Sequence, residues 1–187
     1  MNILILGINF APEIISTGAY TTGMARFLAA QGHKVNVITA HPYYPEWRLR
    51  EGWPRLKYVE DTPDPKFERL NVTHCPLYVP KHPTGLKRIL HHASFALTGL
   101  IPAVASSLSK GRPDVVMVIA PSLLSAVSAY IAARIAGAKT WLHIQDFEVE
   151  AALATGLLKP GGRLGRLALA FERFVLKRFD RVSTISA

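Results

Sequence analysis

The chain has 187 residues, 49% of them apolar and 19% charged, with a single cysteine and a formal charge of +9. That length and composition describe about one globular domain with a core large enough to need no disulfide or metal staple, and they exclude a disordered tail. The charge favours anionic partners: nucleic acid, a phosphorylated substrate or an anionic membrane face.

Cys75 alone forms neither an internal disulfide nor a cysteine-based zinc site, which fits a reducing compartment. At the N-terminus an apolar run begins at Ile3 and stops at Gly7, without the positive patch that precedes the core of a signal peptide. Asn2–Gly7 reads as a buried strand. Ser16, Thr17 and Gly18 offer a helix N-cap, and Tyr20, Met24, Phe27 and Leu28 recur at i, i+4, i+7 and i+8 before a C-cap glycine, Gly32. Val35–Thr39 is the next strand, so residues 2–39 form a βαβ unit, which by its handedness implies a parallel sheet.

Residues 41–69 break this rhythm. Prolines at 42, 45, 54, 63 and 65 forbid a long helix, and eleven charges fall between Glu46 and Glu68, so a long surface excursion with little regular structure is expected. Val72–Val79 resumes as a strand that Pro76 demotes to an edge or a bulge. Gly85–Lys110 predicts a helix kinked at Pro102. Strand Val115–Ala120, helix Leu123–Ala136 ended by Gly137, strand Thr140–Ile144, helix Leu164–Phe179 and strand Arg181–Ile185 complete the series.

The alternation predicts one α/β domain over residues 1–187, a Rossmann-like, doubly wound and mainly parallel sheet. Val115–Ala133 and Ile89–Ser109 lack Asp, Glu, Lys and Arg, but the first is broken by Pro121 and Ser122 and the second is too polar for a lipid-facing span. The chain stops at Ala187, just after a strand with no helix to cover it, which reads as one half of a larger protein.

Ligands of open α/β sheets bind beyond the carboxyl ends of the strands, which selects Gly7–Gly18, Thr39–Pro45 and His143–Glu150. The first loop is not a GxGxxG loop, since its two glycines lie eleven positions apart, and no GK[ST] follows to make a P-loop. Thr39, Ala40 and His41 stand where a ribose would want an acid, which argues against a nicotinamide dehydrogenase. Gly18, in the first turn of a helix, suits a phosphate drawn by free N–H groups and the helix dipole; it reads equally as a small residue behind a cap.

His143 at a strand terminus can hydrogen-bond a sugar hydroxyl or move a proton near neutral pH, and competes with a structural histidine bonded to a neighbouring loop. Asp146 is a base, a hydroxyl acceptor or the N-cap of a helix over residues 147–155. Glu148 and Glu150 read as solvated helix positions. The aromatic residues near His41 either stack on a sugar or base, or form a loop that packs on itself. His91 and His92 point about 100° apart on a helix and cannot share one ion. Seven cations between Lys159 and Arg181 lie on an amphipathic helix without aromatic interleaving or a known module, so nucleic acid is not an expected partner.

The run from Ile3 to Glu13, with Ser16, Thr17 and Gly18 and with Gly32, His33, Lys34 and Val35, resembles the N-terminal half of GT-B glycosyltransferases, within them family 4, the retaining, nucleotide-sugar-dependent group. Thr39 through Pro45 and His143 through Glu148 are similar to its colanic acid branch. The resemblance covers the whole chain. It implies two Rossmann-like domains flanking a donor cleft, with the acceptor held mainly by the N-terminal one and the nucleotide by a C-terminal one absent from this chain, so that the chain alone is inactive. It places Gly18 near the donor diphosphate and His143 near the transferred sugar, with Ser16, Thr17, His41 and Asp146 as further substrate-binding residues.

The implied reaction moves a hexosyl group from a nucleotide sugar to a glycan acceptor, often lipid-linked, without a cofactor or a divalent metal. Gly18→Val is then expected to reduce turnover and leave the fold intact. A lipid-linked acceptor places the protein in the cytoplasm, peripherally on an anionic leaflet. Lys81, Lys87 and Arg88, ahead of Leu86, Ile89, Leu90, Phe95, Leu97, Leu100 and Ile101, supply an interfacial mixture; the competing reading is a helix that covers the sheet with its cations solvated. A different class of protein, a non-catalytic Rossmann-like module binding an anionic ligand or a membrane, is the alternative.

Overall fold

The computed structural model describes residues 1–14, 17–61, 65–147, 149, 152–153 and 161–185. Its elements are β1 (Asn2–Gly7), α1 (Thr17–Ala30), β2 (Lys34–Ala40), β3 (Val59–Glu60), a 3-10 turn (Pro65–Phe67), β4 (Leu70–Cys75), α2 (Gly85–Leu108), β5 (Val115–Ala120), α3 (Ser125–Ala136), β6 (Lys139–Ile144), α4 (Arg163–Arg178) and β7 (Arg181–Thr184). They form a seven-stranded sheet in the order β3-β4-β2-β1-β5-β6-β7. Every pairing is parallel except the short β3 against β4. The order reverses at β1, which pairs with β2 on one side and β5 on the other; that switch point opens a crevice beyond the carboxyl ends of the strands.

Alternation along the strands sends neighbouring side chains to opposite faces. Leu4 and Leu6 join Val116, Val118 and Leu142 in one core with residues of α2, α3 and α4. Ile3 and Ile5 join Val35, Val37 and Met117 in a second core under α1. Helices therefore cover both faces, as the doubly wound expectation requires.

Four sequence expectations are corrected by packing. In α1 the periodic large residues divide: Met24 and Leu28 are half-buried against the core under the helix, while Tyr20 is 68% and Phe27 62% exposed, and Gly18, Thr21, Thr22, Ala25 and Ala29 are buried. Small residues form the face nearest the sheet, and Tyr20 and Phe27 lie on the opposite side of the helix. β4 ends at Cys75, before Pro76, and it is an inner strand between β2 and β3. Proline's missing donor simply closes the ladder there.

Residues 41–69 hold little regular structure, only β3 and the 3-10 turn, as expected, but they are no mere surface excursion. Tyr43 is buried and packs edge-on against Trp47 and His91, and Trp53 lies between His41 and His74. The aromatic loop packs on itself and on the start of α2; its charges give no hint of this because they point outward from an aromatic interior. The fourth correction is small: α2 ends at Leu108 and runs through Pro102. Pro102 cannot donate to the Thr98 carbonyl, and the Tyr58 hydroxyl does so instead at 2.9 Å. Gly32 and Gly137 follow α1 and α3 at φ 86° and 70°, as expected of terminal glycines.

Candidate functional site

The carboxyl edge is organised by a residue that sequence reading passed over. Glu13 lies in the loop between β1 and α1 and is 7% exposed. Its Oε1 accepts the backbone N–H groups of Tyr43 and Tyr44, each at 2.8 Å, and its Oε2 accepts Asn9 Nδ2 at 2.7 Å. One carboxylate thus joins the loop after β1 to the loop after β2. Burial raises its pKa above the usual carboxylate value, against the opposing pull of those donors. The available signal was its isolation, since no other acidic residue occurs in the first 45 positions.

α1 begins directly above this carboxylate. Thr17 Oγ1 lies 3.4 Å from Asn9 Oδ1, and the Ala11 N–H donates to Thr22 Oγ1 at 2.9 Å. A Cβ on Gly18 would stand 3.1 Å from the Glu13 carbonyl oxygen and 3.5 Å from the Phe10 nitrogen. The glycine is therefore needed for the close approach of loop and helix, whatever it does for a phosphate. This corrects the expectation that Gly18→Val leaves the fold intact: even Gly18→Ala requires the loop to yield by a few tenths of an ångström. We expect thermal melting to fall modestly for Gly18→Ala and by about 1–3 kcal/mol of stability for Gly18→Val. Equal melting of all three proteins would remove this packing role. Ser16, the other cap residue singled out, lies outside the described residues.

His143 is half-buried near the end of β6. Its Nδ1 lies 2.9 Å from Ser183 Oγ on β7, and Trp141 Nε1 donates to the same oxygen at 2.8 Å. Assigned from this network, Ser183 accepts from Trp141 and donates to Nδ1, which leaves the N–H on His143 Nε2. Burial lowers the His143 pKa, so near neutral pH the ring is an uncharged donor suited to a hydroxyl or phosphate oxygen. The neighbouring-strand bond also satisfies the structural reading of this histidine.

Gln145 follows β6, 8% exposed, with Nε2 reaching Thr21 Oγ1 of α1 at 3.5 Å. Its Oε1 is buried without a hydrogen-bond partner among the described residues. Asp146 is exposed just beyond it.

Thr17, Gly18, Glu13 and the β6 terminus thus converge on the switch point. His41 does not present its ring there: it is 1% exposed, its Nε2 donates to the Lys57 carbonyl at 2.9 Å, and burial lowers its pKa. Its visible work is to hold the loop that follows β2. Lys81, Lys87 and Arg88 are exposed just before and at the start of α2, and Arg88 lies 5.3 Å over the ring of Trp47, which packs on Tyr43, the residue whose N–H Glu13 accepts.

The described residues of the convergent edge border a small concavity and leave a larger one elsewhere. A concavity beside Asp146 and Phe147 holds only about 10 Å³. The larger one, about 410 Å³, lies toward the other end of the sheet, between Asn36, Asn71 and Thr73 of the strands and Pro102, Ser106 and Ser109. Among the described residues no group of three His, Cys, Asp or Glu side chains is placed to hold a metal ion.

Comparison with known proteins places this architecture. The chain is 45% identical over 188 aligned residues to the "Putative colanic acid biosynthesis glycosyl transferase WcaI" of Escherichia coli (strain K12), covering all of this chain and 44% of that protein. The chain thus spans less than half the length of that relative. Among solved structures, the catalytic domain of starch synthase IV from Arabidopsis thaliana bound to ADP and acarbose matches 79% of this chain and 34% of its own, at 17% identity and a TM-score of 0.53, a likeness of fold. Residues 17–187 match the glycosyl transferase 4-like domain, and the chain belongs to the glycosyl transferase 4-like family.

Proposed function

We propose that this chain is the acceptor-side half of a retaining glycosyltransferase that transfers a hexosyl group from a nucleotide sugar to a lipid-linked glycan acceptor in polysaccharide biosynthesis. The observation that carries the reading is the 45% identity along the whole chain to a protein named for that class of reaction.

The chemistry follows from where charge develops. The sugar–phosphate bond breaks toward an oxocarbenium-like state, and negative charge collects on the leaving diphosphate. The first turn of α1 directs backbone N–H groups and the positive end of its dipole at that charge. His143 Nε2–H donates to the sugar or to a phosphate oxygen; it is a positioning donor, not a base. Thr17 and Asp146 line the same edge, and His41 supports it from beneath.

The acceptor's lipid brings the domain to the cytoplasmic leaflet, where Lys81, Lys87 and Arg88 meet anionic headgroups. α2 is apolar and 24 residues long, sufficient by length and composition to cross a membrane. Phe95 and Ala103 are instead packed in the core, while Leu86, Leu90, Leu97, Ile101 and Leu108 are exposed along one face. Phe95, counted among the interfacial residues from sequence, therefore belongs to the core. An interfacial helix fits this division better than a spanning one.

The deciding experiment is sugar transfer by the protein with both domains present. His143→Ala is expected to lower turnover about 10- to 100-fold with little loss of melting temperature. A fall in melting temperature with unchanged activity per folded molecule would return His143 to a structural role.

A further inference from the structure

The larger concavity, about 410 Å³, lies apart from the crevice at the carboxyl edge and falls within the range of small-molecule clefts, roughly 300–1,000 Å³. It sits on the face of the sheet that carries α2, toward the amino ends of β2 and β4. Its floor departs from the pattern of the fold. Strands inside a parallel sheet are ordinarily apolar on both faces. Under α1, β2 and β4 follow that rule with Val35, Val37, Leu70 and Val72, all buried. On the opposite face the same two strands present Asn36, Asn71 and Thr73.

These side chains form one polar surface. Asn36 and Asn71 are register partners on neighbouring strands, and Asn71 Nδ2 donates to Asn36 Oδ1 at 3.1 Å. That bond leaves the Asn36 Nδ2 donor beside the Asn71 Oδ1 acceptor, neither with another partner among the described residues. Thr73 follows on the same face of β4, and Glu60 of β3 is its register partner. Ser106 faces them from α2.

The walls are held at a set separation. Pro102 lines the groove and leaves the Thr98 carbonyl outside the helix ladder, where the Tyr58 hydroxyl ties the start of the β3 segment to α2. On the other side the Asp61 N–H donates to the Val72 carbonyl at 3.0 Å, and Asp61 Oδ2 lies 3.1 Å from His74 Nε2. Donors and acceptors are therefore positioned before any ligand arrives.

This chemistry selects a class of ligand. Amide donor, amide acceptor, hydroxyls and a carboxylate alternate over one surface, which complements a row of hydroxyls, each able to donate and accept. Although the chain carries +9, Glu60 and Asp61 place negative charge here and disfavour a phosphate. Asp61 is engaged by His74, so one unengaged carboxylate remains, fewer than a polyamine would want.

We infer that this groove is a second carbohydrate site, for a neutral oligosaccharide, separate from the crevice at the carboxyl edge. It goes beyond the transfer reaction proposed above, because its occupant is held and not transformed. Binding is therefore read without a donor or a second domain, and a failure of sugar transfer would leave it untouched.

Nuclear magnetic resonance of the nitrogen-15-labelled 187-residue chain, titrated with lactose and separately with cellobiose, tests the site. The amides of Asn36, Asn71, Thr73 and Ser106 should shift and saturate, with a dissociation constant on the order of 1 mM. Asn36→Ala removes one amide and should weaken binding about tenfold. Ser106→Leu fills the groove from α2 without touching the strand pairing and should abolish saturation, its own spectrum showing that the fold is kept. His143→Ala should bind as the parent does. Shifts confined to the surroundings of Thr17 and Gln145, and lost in His143→Ala, would place the sugar in the crevice and overturn a second site. Unchanged binding in both groove variants, or no saturable shift with either sugar, would also overturn it. Saturation of the groove by spermidine but by neither sugar would overturn the carbohydrate assignment in favour of a polyamine.

Discussion

Replacing Glu13 by alanine should cost on the order of 3 kcal/mol or more and lower the melting temperature by about 10 °C. The carboxylate accepts two backbone N–H groups and one side-chain amide in a buried site. Removing it takes away the acceptor that all three donors share, at about 1–3 kcal/mol for each buried donor it leaves unsatisfied. Glu13→Gln is the informative companion: its amide oxygen still takes both backbone donors, and a turn of the Asn9 amide relieves the remaining clash. About 1 kcal/mol is expected there. Because Glu13 joins the loops that bound the switch point, alanine should also depress sugar transfer beyond its effect on the folded fraction. Urea unfolding of the three proteins checks the first statement, and turnover per folded molecule checks the second. Equal stability of the alanine variant and the parent would mean that water or a shifted loop supplies the missing acceptor.

A second large effect is expected in mildly acidic solution. His91 and His92 sit on α2 beneath the aromatic loop, and burial lowers both pKa values from the usual 6.5 to about 4. His91 Nδ1–H donates to the Tyr78 carbonyl at 2.6 Å, and its ring packs against Tyr43 and Trp47. Its other nitrogen is buried with no hydrogen-bond partner among the described residues, where a proton would have nothing to satisfy it. Both histidines fold as neutral rings.

Since their folded pKa lies below the unfolded one, the unfolded chain binds more protons between those limits, and stability rises with pH across that window. The contribution is complete above about pH 6.5, is lost progressively as pH falls toward 4, and amounts to roughly 3 kcal/mol per histidine. The double variant His91→Gln, His92→Gln should start less stable at neutral pH and show a markedly flatter decline. Parallel curves for the two proteins would assign the acid sensitivity to other groups. The aromatic loop, held by these rings, should loosen first, and a fall in Trp47 and Trp53 fluorescence polarisation before global unfolding would report it.

Much of the architecture was legible before any coordinates. Short apolar runs ending at Gly7, Thr39, Ala120 and Ile144 marked four parallel strands, and Gly32 and Gly137 marked two helix ends; each signal is local, a matter of backbone conformation and side-chain period. The family was legible too, in the run from Ile3 to Glu13 and in His143 to Glu148. Gly18 and His143 were found by position, as residues at the carboxyl edge.

What the sequence by itself determined is the succession of elements, the parallel α/β class and the strand ends at which a ligand can be met. Only the tertiary structure decided which face of each helix is covered and which long-range partners share a proton. Tyr20 and Phe27 have helical spacing yet face water, since Gly18, Thr21 and Ala25, on the opposite side of α1, form the face against the sheet. Glu13 looked like one acid in a loop until the backbone of Tyr43 and Tyr44, thirty positions away, came to rest on it. His41 looked open to ligand until Lys57 and Trp53 folded over it. Period and propensity act over a few residues, whereas burial and hydrogen-bond satisfaction depend on segments that meet only when the chain has closed.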